Sequence, residues 1–237
     1  MYLAADNLAK LALAPLLIGQ ALHVRRKALI LPEPPGERTG QTGSGAALNI
    51  LIAGDSSAAG VGADSQGQAL SGRLAQELAA RFTVCWTLEA ETGATSAATL
   101  RRLRELHKTA PQRFDVVLFA LGVNDITRGV PLRRWLKTQQ ALQSLMTETF
   151  GARQILVSGV PPMHRFPLLP QPLRWTLGAT ARRFDTALAG LCAENPAARH
   201  LAFDLPFRPE YVARDGFHPS PAAYALWARM LADKIAG

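Results

Sequence analysis

Four short blocks hold the residues that could do chemistry. They are Gly54-Asp55-Ser56-Ser57, Glu91-Thr92-Gly93, Gly122-Val123-Asn124-Asp125 and Asp215-Gly216-Phe217-His218-Pro219. A serine hydroxyl is a weak nucleophile until a base takes its proton. His218 can be that base, because histidine changes charge near operating pH. Asp215 lies three residues before it, close enough to accept the other ring N–H and fix the tautomer. The backbone N–H groups of Ser56 and Gly93 and the Asn124 amide can donate to an oxyanion developing on a carbonyl. Gly93 also lets a substrate approach the backbone closely. Each residue has an ordinary reading as well. Ser56 could cap a helix, Asp215 and Asn124 could shape turns, and Gly93 and His218 could be loop residues. What sets the chemical reading above these is that one topology delivers all of them to one place.

That topology follows from the alternation of elements. Leu48–Ala53 is a short apolar run ending in Gly54, which reads as a strand buried on both faces. Further strands are predicted over Phe82–Ala90, Asp115–Leu121, Gln154–Ser158 and His200–Asp204. Helical spacing is predicted over Gln66–Arg81, Ser96–Lys108, Leu132–Phe150, Leu177–Glu194 and Pro221–Ile235. Strands separated by helices imply right-handed crossovers and a parallel sheet covered on both faces. The expected fold is therefore α/β: five parallel strands in flavodoxin-like order. In such a sheet every strand's carboxyl end faces one edge, where open α/β sheets bind ligands. Each of the first three blocks follows a strand, and the fourth precedes the last helix, so all four meet at that rim.

The ordered set Gly54-Asp55-Ser56, Gly93, Gly122-x-Asn124-Asp125 and Asp215-x-x-His218 resembles the four sequence blocks of the SGNH (GDSL-type) esterase/lipase superfamily, over residues 48–235. The resemblance implies a three-layer α/β/α hydrolase. It implies Ser56 as nucleophile, His218 and Asp215 completing a catalytic triad, and Ser56, Gly93 and Asn124 as oxyanion donors. It implies neither metal nor organic cofactor, and a small-molecule ester as substrate. Ser57 stands where the family name has leucine, so two adjacent serines compete for the role of nucleophile. Ala58, Ala59, Gly60 and Gly62 surround them, and these small residues suggest a shallow site for short acyl groups. Acyl transfer to an alcohol, lysophospholipid hydrolysis and acyl or carbohydrate binding without turnover are the alternatives.

Other catalytic motifs are missing. No Gly-Lys-Ser/Thr follows a glycine-rich turn, as a P-loop requires. Ser65 occupies the third glycine position of a dinucleotide fingerprint. Ser56 is followed by Ser57-Ala58, not by the x-Gly of a nucleophile elbow. The two cysteines, Cys85 and Cys192, have no metal-ligand spacing and fit two buried thiols in a reducing, cytoplasmic setting. Among 237 residues the formal net charge is +8, but the cations are scattered without interleaved aromatics, so nucleic acid is not an expected partner.

Residues 1–45 fall outside the resemblance. Residues 32–45, PEPPGERTGQTGSG, read as a Pro/Gly-rich linker, which places the catalytic domain at 46–237 and makes residues 1–45 dispensable for chemistry. Leu8–Val24 approaches the length of a membrane span, but Lys10, Pro15, Gly19, Gln20 and His23 interrupt it. Asp6, Asn7, Lys10 and Gln20 share one side of a helical wheel, so residues 1–24 are expected to pack on the domain or lie on a membrane surface. No basic stretch precedes the apolar part, which argues against a secretory signal.

Overall fold

Leu48, Ile50 and Ile52 point to one side of the first long strand, Leu51 and Ala53 to the other, and both sets are buried. In the computed structural model, which describes residues 12–203, 205, 206 and 208–236, this strand is the centre of a six-stranded sheet. The strands are β1 (Thr39–Thr42), β2 (Ala46–Gly54), β3 (Phe82–Ala90), β4 (Val116–Ala120), β5 (Gln154–Ser158) and β6 (Ala198–Leu201), in the order β1-β3-β2-β4-β5-β6. β2 to β6 are mutually parallel, and Ile52 stands opposite both Leu88 and Leu118. This is the expected α/β/α fold in flavodoxin-like order, with one strand added.

Helices cover both faces. On one side α3 (Leu70–Leu78) packs Leu70, Leu74 and Leu78 against Ile50, Ile52 and Leu118, beside Tyr224, Trp227 and Leu231 of α8 (Pro221–Ala236). The four-residue spacing of the three leucines puts them on one stripe. On the other side α4 (Ser96–Thr109), α6 (Leu132–Ser144) and α7 (Leu173–Ala193) bring Leu103, Trp135 and Phe184 onto Leu51, Val117 and Phe119. Two short helices, α2 (Ser56–Ala59) and α5 (Val123–Thr127), follow β2 and β4 directly. Both cysteines are free; Cys192 is buried and Cys85 only half-buried. Burial pushes the Cys192 thiol up to about 11.

Several boundaries differ from those expected. The helix expected from Gln66 begins with a 3₁₀ turn, because the buried Gln66 amide donates to the carbonyls of Ala59 (2.9 Å) and Pro34 (3.3 Å). The helix expected through Phe150 ends in a π-helical turn over Leu145–Thr149. The last strand lies at Ala198–Leu201 instead of His200–Asp204, and Asp204 lies outside the described residues.

The largest difference concerns residues 32–45. They hold β1, which pairs antiparallel with β3, so the sheet has six strands and not five. Gly40 permits this pairing: a Cβ there would stand 2.4 Å from the Trp86 indole. Pro34 and Leu31 are buried, and the Pro35 carbonyl accepts from Gln66 N (2.9 Å). The Pro/Gly-rich stretch is thus built into the domain edge. Before it runs α1 (Ala14–Lys27), tied to the start of α7 by Gln20, whose side chain donates to the Gln171 carbonyl and accepts from Leu173 N. The part of the N-terminal helix expected over residues 1–11 lies outside the described residues.

Candidate active site

The site begins where β2 stops. Gly54 lies so close to β4 that a Cβ would sit 2.4 Å from the Ala120 carbonyl, and Asp55 N donates to that same oxygen (3.1 Å). Asp55 then caps α2, its Oδ1 accepting from Ser57 N (3.1 Å) and Ser57 Oγ (2.8 Å). Burial pushes the Asp55 carboxyl up, against the Ser57 hydrogen bonds that hold it down. The two adjacent serines therefore have different partners. Ser57 gives its hydroxyl to Asp55, whereas Ser56 Oγ lies 2.8 Å from His218 Nε2.

The loop before α8 is shaped around Asp215. Its Oδ1 accepts from the backbone N–H groups of Phe217 and His218, both at 3.0 Å, and its Oδ2 lies 2.5 Å from His218 Nδ1. Burial pushes the Asp215 carboxyl up, but its hydrogen bonds with His218 outweigh burial and hold it below the usual carboxylate range. A carboxylate on Nδ1 leaves Nε2 free to accept the Ser56 proton. Gly62 lets the two loops close together: a Cβ there would stand 2.2 Å from the Pro219 carbonyl.

Asn124, in α5, donates from Nδ2 to Asp55 Oδ2 (3.3 Å), which holds the amide beside α2. Its neighbour Asp125 points the other way. Asp125 Oδ2 accepts from Ser96 N (3.0 Å) and Ser96 Oγ (2.8 Å), and Ser96 Oγ accepts in turn from Trp135 Nε1 and Gln139 Nε2. Asp125 thus fastens the Asn124 turn to α4 and α6. Gly93 lies in the loop after β3, at φ 80°, a conformation that favours glycine. Glu91 N donates to the Gly54 carbonyl (3.3 Å), which sets this loop next to the α2 turn.

The structure thus brings Ser56, His218, Asp215 and Asn124 together at the expected rim, with Gly93 in the neighbouring loop. It also shows groups that the sequence did not reveal. Glu33 Oε1 accepts from both Thr92 N (2.7 Å) and Thr92 Oγ1 (2.8 Å), one residue before Gly93. Glu33 Oε2 pairs with Arg38 (3.1 Å), and Arg38 also donates to the Ala90 carbonyl. Partial burial pushes the Glu33 carboxyl up, but the Thr92 hydrogen bonds and the Arg38 charge hold it below the usual carboxylate range. From the other side Arg128 donates to the Gly93 carbonyl (2.8 Å). The segment expected to be dispensable therefore grips the Gly93 loop. Glu33→Ala should lower kcat roughly 10- to 100-fold, the scale of a small misplacement of a reacting group, with KM and melting temperature little changed. Wild-type kcat in a folded Glu33→Ala protein would show that the grip does not matter.

Beside Ser56 opens a cleft of about 770 Å³, counting its solvent-open mouth. Its walls include Leu121, Val123, Phe166, Leu205, Tyr211 and Trp227, with Ser56, Asn124 and His218 among the lining residues. Phe166 stacks edge-on against Phe217 at 4.8 Å. Ala58, Ala59, Gly60 and Gly62, expected to make the site shallow, are not among the residues that line this cleft, and the first three are buried.

The GDSL-like lipase/acylhydrolase family model matches residues 52–226. Among solved structures, the psychrotrophic esterase EstA from Pseudoalteromonas sp., inhibited by monoethylphosphonate, is 22% identical, with a TM-score of 0.62 over 79% of this chain and 96% of that one. The acetylxylan esterase Axe2 from Geobacillus stearothermophilus is 19% identical, with a TM-score of 0.58 over 81% and 96%. The carbohydrate esterase family 2 enzyme of Corynascus thermopiles is 16% identical, with a TM-score of 0.66 over 82% and 67%. At these identities the likeness is one of fold. No curated protein sequence matches the chain.

Proposed function

The chain belongs to the GDSL-like lipase/acylhydrolase family and is an ester-hydrolysing enzyme; from that premise we propose that it works through a Ser56-His218-Asp215 triad and a covalent acyl-enzyme. The observation that carries this reading is the unbroken chain Ser56 Oγ, His218 Nε2, His218 Nδ1, Asp215 Oδ2, with gaps of 2.8 and 2.5 Å. Ser56 Oγ attacks the ester carbonyl while His218 Nε2 takes its proton. The tetrahedral intermediate collapses, and the same Nε2–H protonates the departing alcohol. Water then attacks the acyl carbonyl carbon, giving a proton to Nε2; the bond to Ser56 Oγ breaks, Nε2–H returns that proton to Oγ, and the acid leaves. Asp215 keeps the proton of the resting imidazole on Nδ1 and stabilises the imidazolium.

The oxyanion in both halves would be met by the N–H groups of Ser56 and Gly93 and by the Asn124 amide. One Asn124 N–H is already held by Asp55, and the other remains to meet the developing charge. Because this donor acts on charge present only in the transition state, Asn124→Ala should lower kcat by about 10²–10³-fold, equivalent to about 2.7–4 kcal/mol, with KM little changed. A sharp fall in melting temperature with kcat per folded molecule intact would instead make Asn124 a turn residue.

The walls of the cleft bear on the acyl group. The reading of a short acyl group rests on small residues that do not line the cleft, whereas the cleft beside Ser56 is apolar and aromatic. An acyl chain long enough to reach Trp227 is therefore the proposed substrate part, with the alcohol held outside. Hydrolysis of p-nitrophenyl esters from acetate to dodecanoate tests this. kcat/KM should rise with chain length before it levels off, and a maximum at acetate would return the site to short acyl groups.

A further inference from the structure

We propose that α1 and the turn after it form a docking surface for anionic lipid membranes. Among the described residues six large hydrophobic side chains are exposed: Leu16, Ile18, Leu22, Leu29, Ile30 and Trp175. Five of them lie within residues 16–30, and Trp175 stands two residues past Leu173, whose N–H is held by Gln20 of α1. Ile18 and Ile30 are 60% and 86% exposed. A folded chain rarely gathers its exposed apolar residues in one place unless something covers them.

The helix is built in two sides. Leu17 and Val24 pack on the core, and Gln20 between them bonds to the start of α7. At 100° per residue Ile18 and Leu22 fall on the opposite half of the wheel. Where this apolar side ends, the chain runs Arg25-Arg26-Lys27. All three are exposed, and none makes a side-chain hydrogen bond or ion pair with another described residue. An apolar face ending in free cations suits a surface that is apolar beneath and negative at its boundary, which is an anionic bilayer. A protein partner would need matching carboxylates in register, whereas lipid headgroups need none. None of the described helices is long and apolar enough to cross a membrane, so contact would lie along the surface.

The position of this face adds to the case. Residues 159–172 leave the cleft wall at Gly159 and Phe166 and reach α1 at Gln171. Along the way Leu168 N donates to the Gly216 carbonyl in the His218 loop (3.5 Å). One segment thus joins the docking face to the rim of the cleft, so a docked molecule would hold its cleft near the lipid. Docking itself does not depend on the catalytic reading, and the cytoplasmic, membrane-associated placement expected from the sequence belongs with this proposal.

The test uses the full chain with vesicles of phosphatidylcholine alone or mixed equally with phosphatidylglycerol, in flotation assays. Binding to the mixed vesicles should be strong and should weaken as salt rises. Arg25→Gln/Arg26→Gln/Lys27→Gln should lose about 5-fold in affinity per charge, on the order of 100-fold in all. Leu16→Ser/Ile18→Ser/Leu22→Ser should no longer float, and both variants should hydrolyse p-nitrophenyl acetate at the wild-type rate. If the serine variant does not fold, Ile18→Glu and Ile30→Glu replace it with the same expected loss. The proposal fails if the full chain ignores mixed vesicles, or if both sets of variants bind as the wild type does. It also fails if light scattering shows a dimer that the Ile18→Glu change dissolves, because a second copy then covers the face. Vesicle binding by a chain inactive on every ester would count against the triad alone.

Discussion

Ser56→Ala should lower kcat by about 10⁶-fold, the scale set when a triad nucleophile is removed, and should abolish labelling by a fluorophosphonate probe. The loss should be chemical and not structural. Among the described residues Ser56 Oγ is bonded only toward His218, whereas the α2 cap is made by Asp55 and Ser57. Ser57→Ala should behave in the opposite way. It removes a hydrogen bond to the buried Asp55 carboxylate, which costs about 1–3 kcal/mol of stability when a buried acceptor loses its donor, yet labelling should persist. Asp55 Oδ1 keeps the Ser57 backbone N–H, so the cap survives. Labelling lost in Ser57→Ala and kept in Ser56→Ala would move the nucleophile by one residue. The experiment separates two neighbours that the sequence alone leaves in competition.

Asp215→Asn should lower kcat by about 10⁴-fold, as expected when a triad carboxylate becomes an amide. An asparagine can still accept from Phe217 N and His218 N, so the loop should keep its shape. Its NH₂, however, would face His218 Nδ1 and hold the proton on Nε2, the nitrogen that must accept from Ser56. In the wild type the pH dependence of kcat/KM should carry a single acid limb, because the base must be neutral to accept the Ser56 proton. The sign follows from which group titrates. Asp215, held below the usual carboxylate range, is already ionised above that range and does not set the limb. Activity therefore falls as pH falls, because imidazolium cannot accept the Ser56 proton. A flat profile, or an Asp215→Asn enzyme with most of its kcat, would overturn the base assignment.

The parts of this molecule that were legible in the sequence share a physical character. Strands such as Ile50–Ala53 and Val116–Ala120 are apolar throughout because helices cover both faces, and this leaves a plain signal. The blocks at their ends were legible because a parallel sheet sends every carboxyl end to one edge. β1 left no such signal. Thr39-Gly40-Gln41-Thr42 has no apolar alternation, and its pairing depends on Gly40 fitting under Trp86, far along the chain. Glu33 was equally silent, since its meaning comes from Thr92, 59 residues away. The cleft walls come from separate segments, with Phe166 in a loop, Tyr211 in a 3₁₀ turn and Trp227 on α8. Ser57 lay between these cases: its type and place were visible, but its hydrogen bond to Asp55, against that of Ser56 with His218, is what tells the two apart.

The short strand β1 also governs how copies of this protein behave toward one another. β3 is nine residues long and carries Val84, Trp86 and Leu88. Left as a border, it would present a run of unpaired N–H and C=O groups to any passing strand, the usual template for intermolecular pairing. β1 covers the stretch Val84–Thr87, and its own outer border is only four residues of Thr, Gly and Gln. Short, polar borders of this kind template poorly. A chain begun at Ala46 would lose this cover together with Glu33, and its first symptom should be aggregation during expression, before any assay of its chemistry could be made.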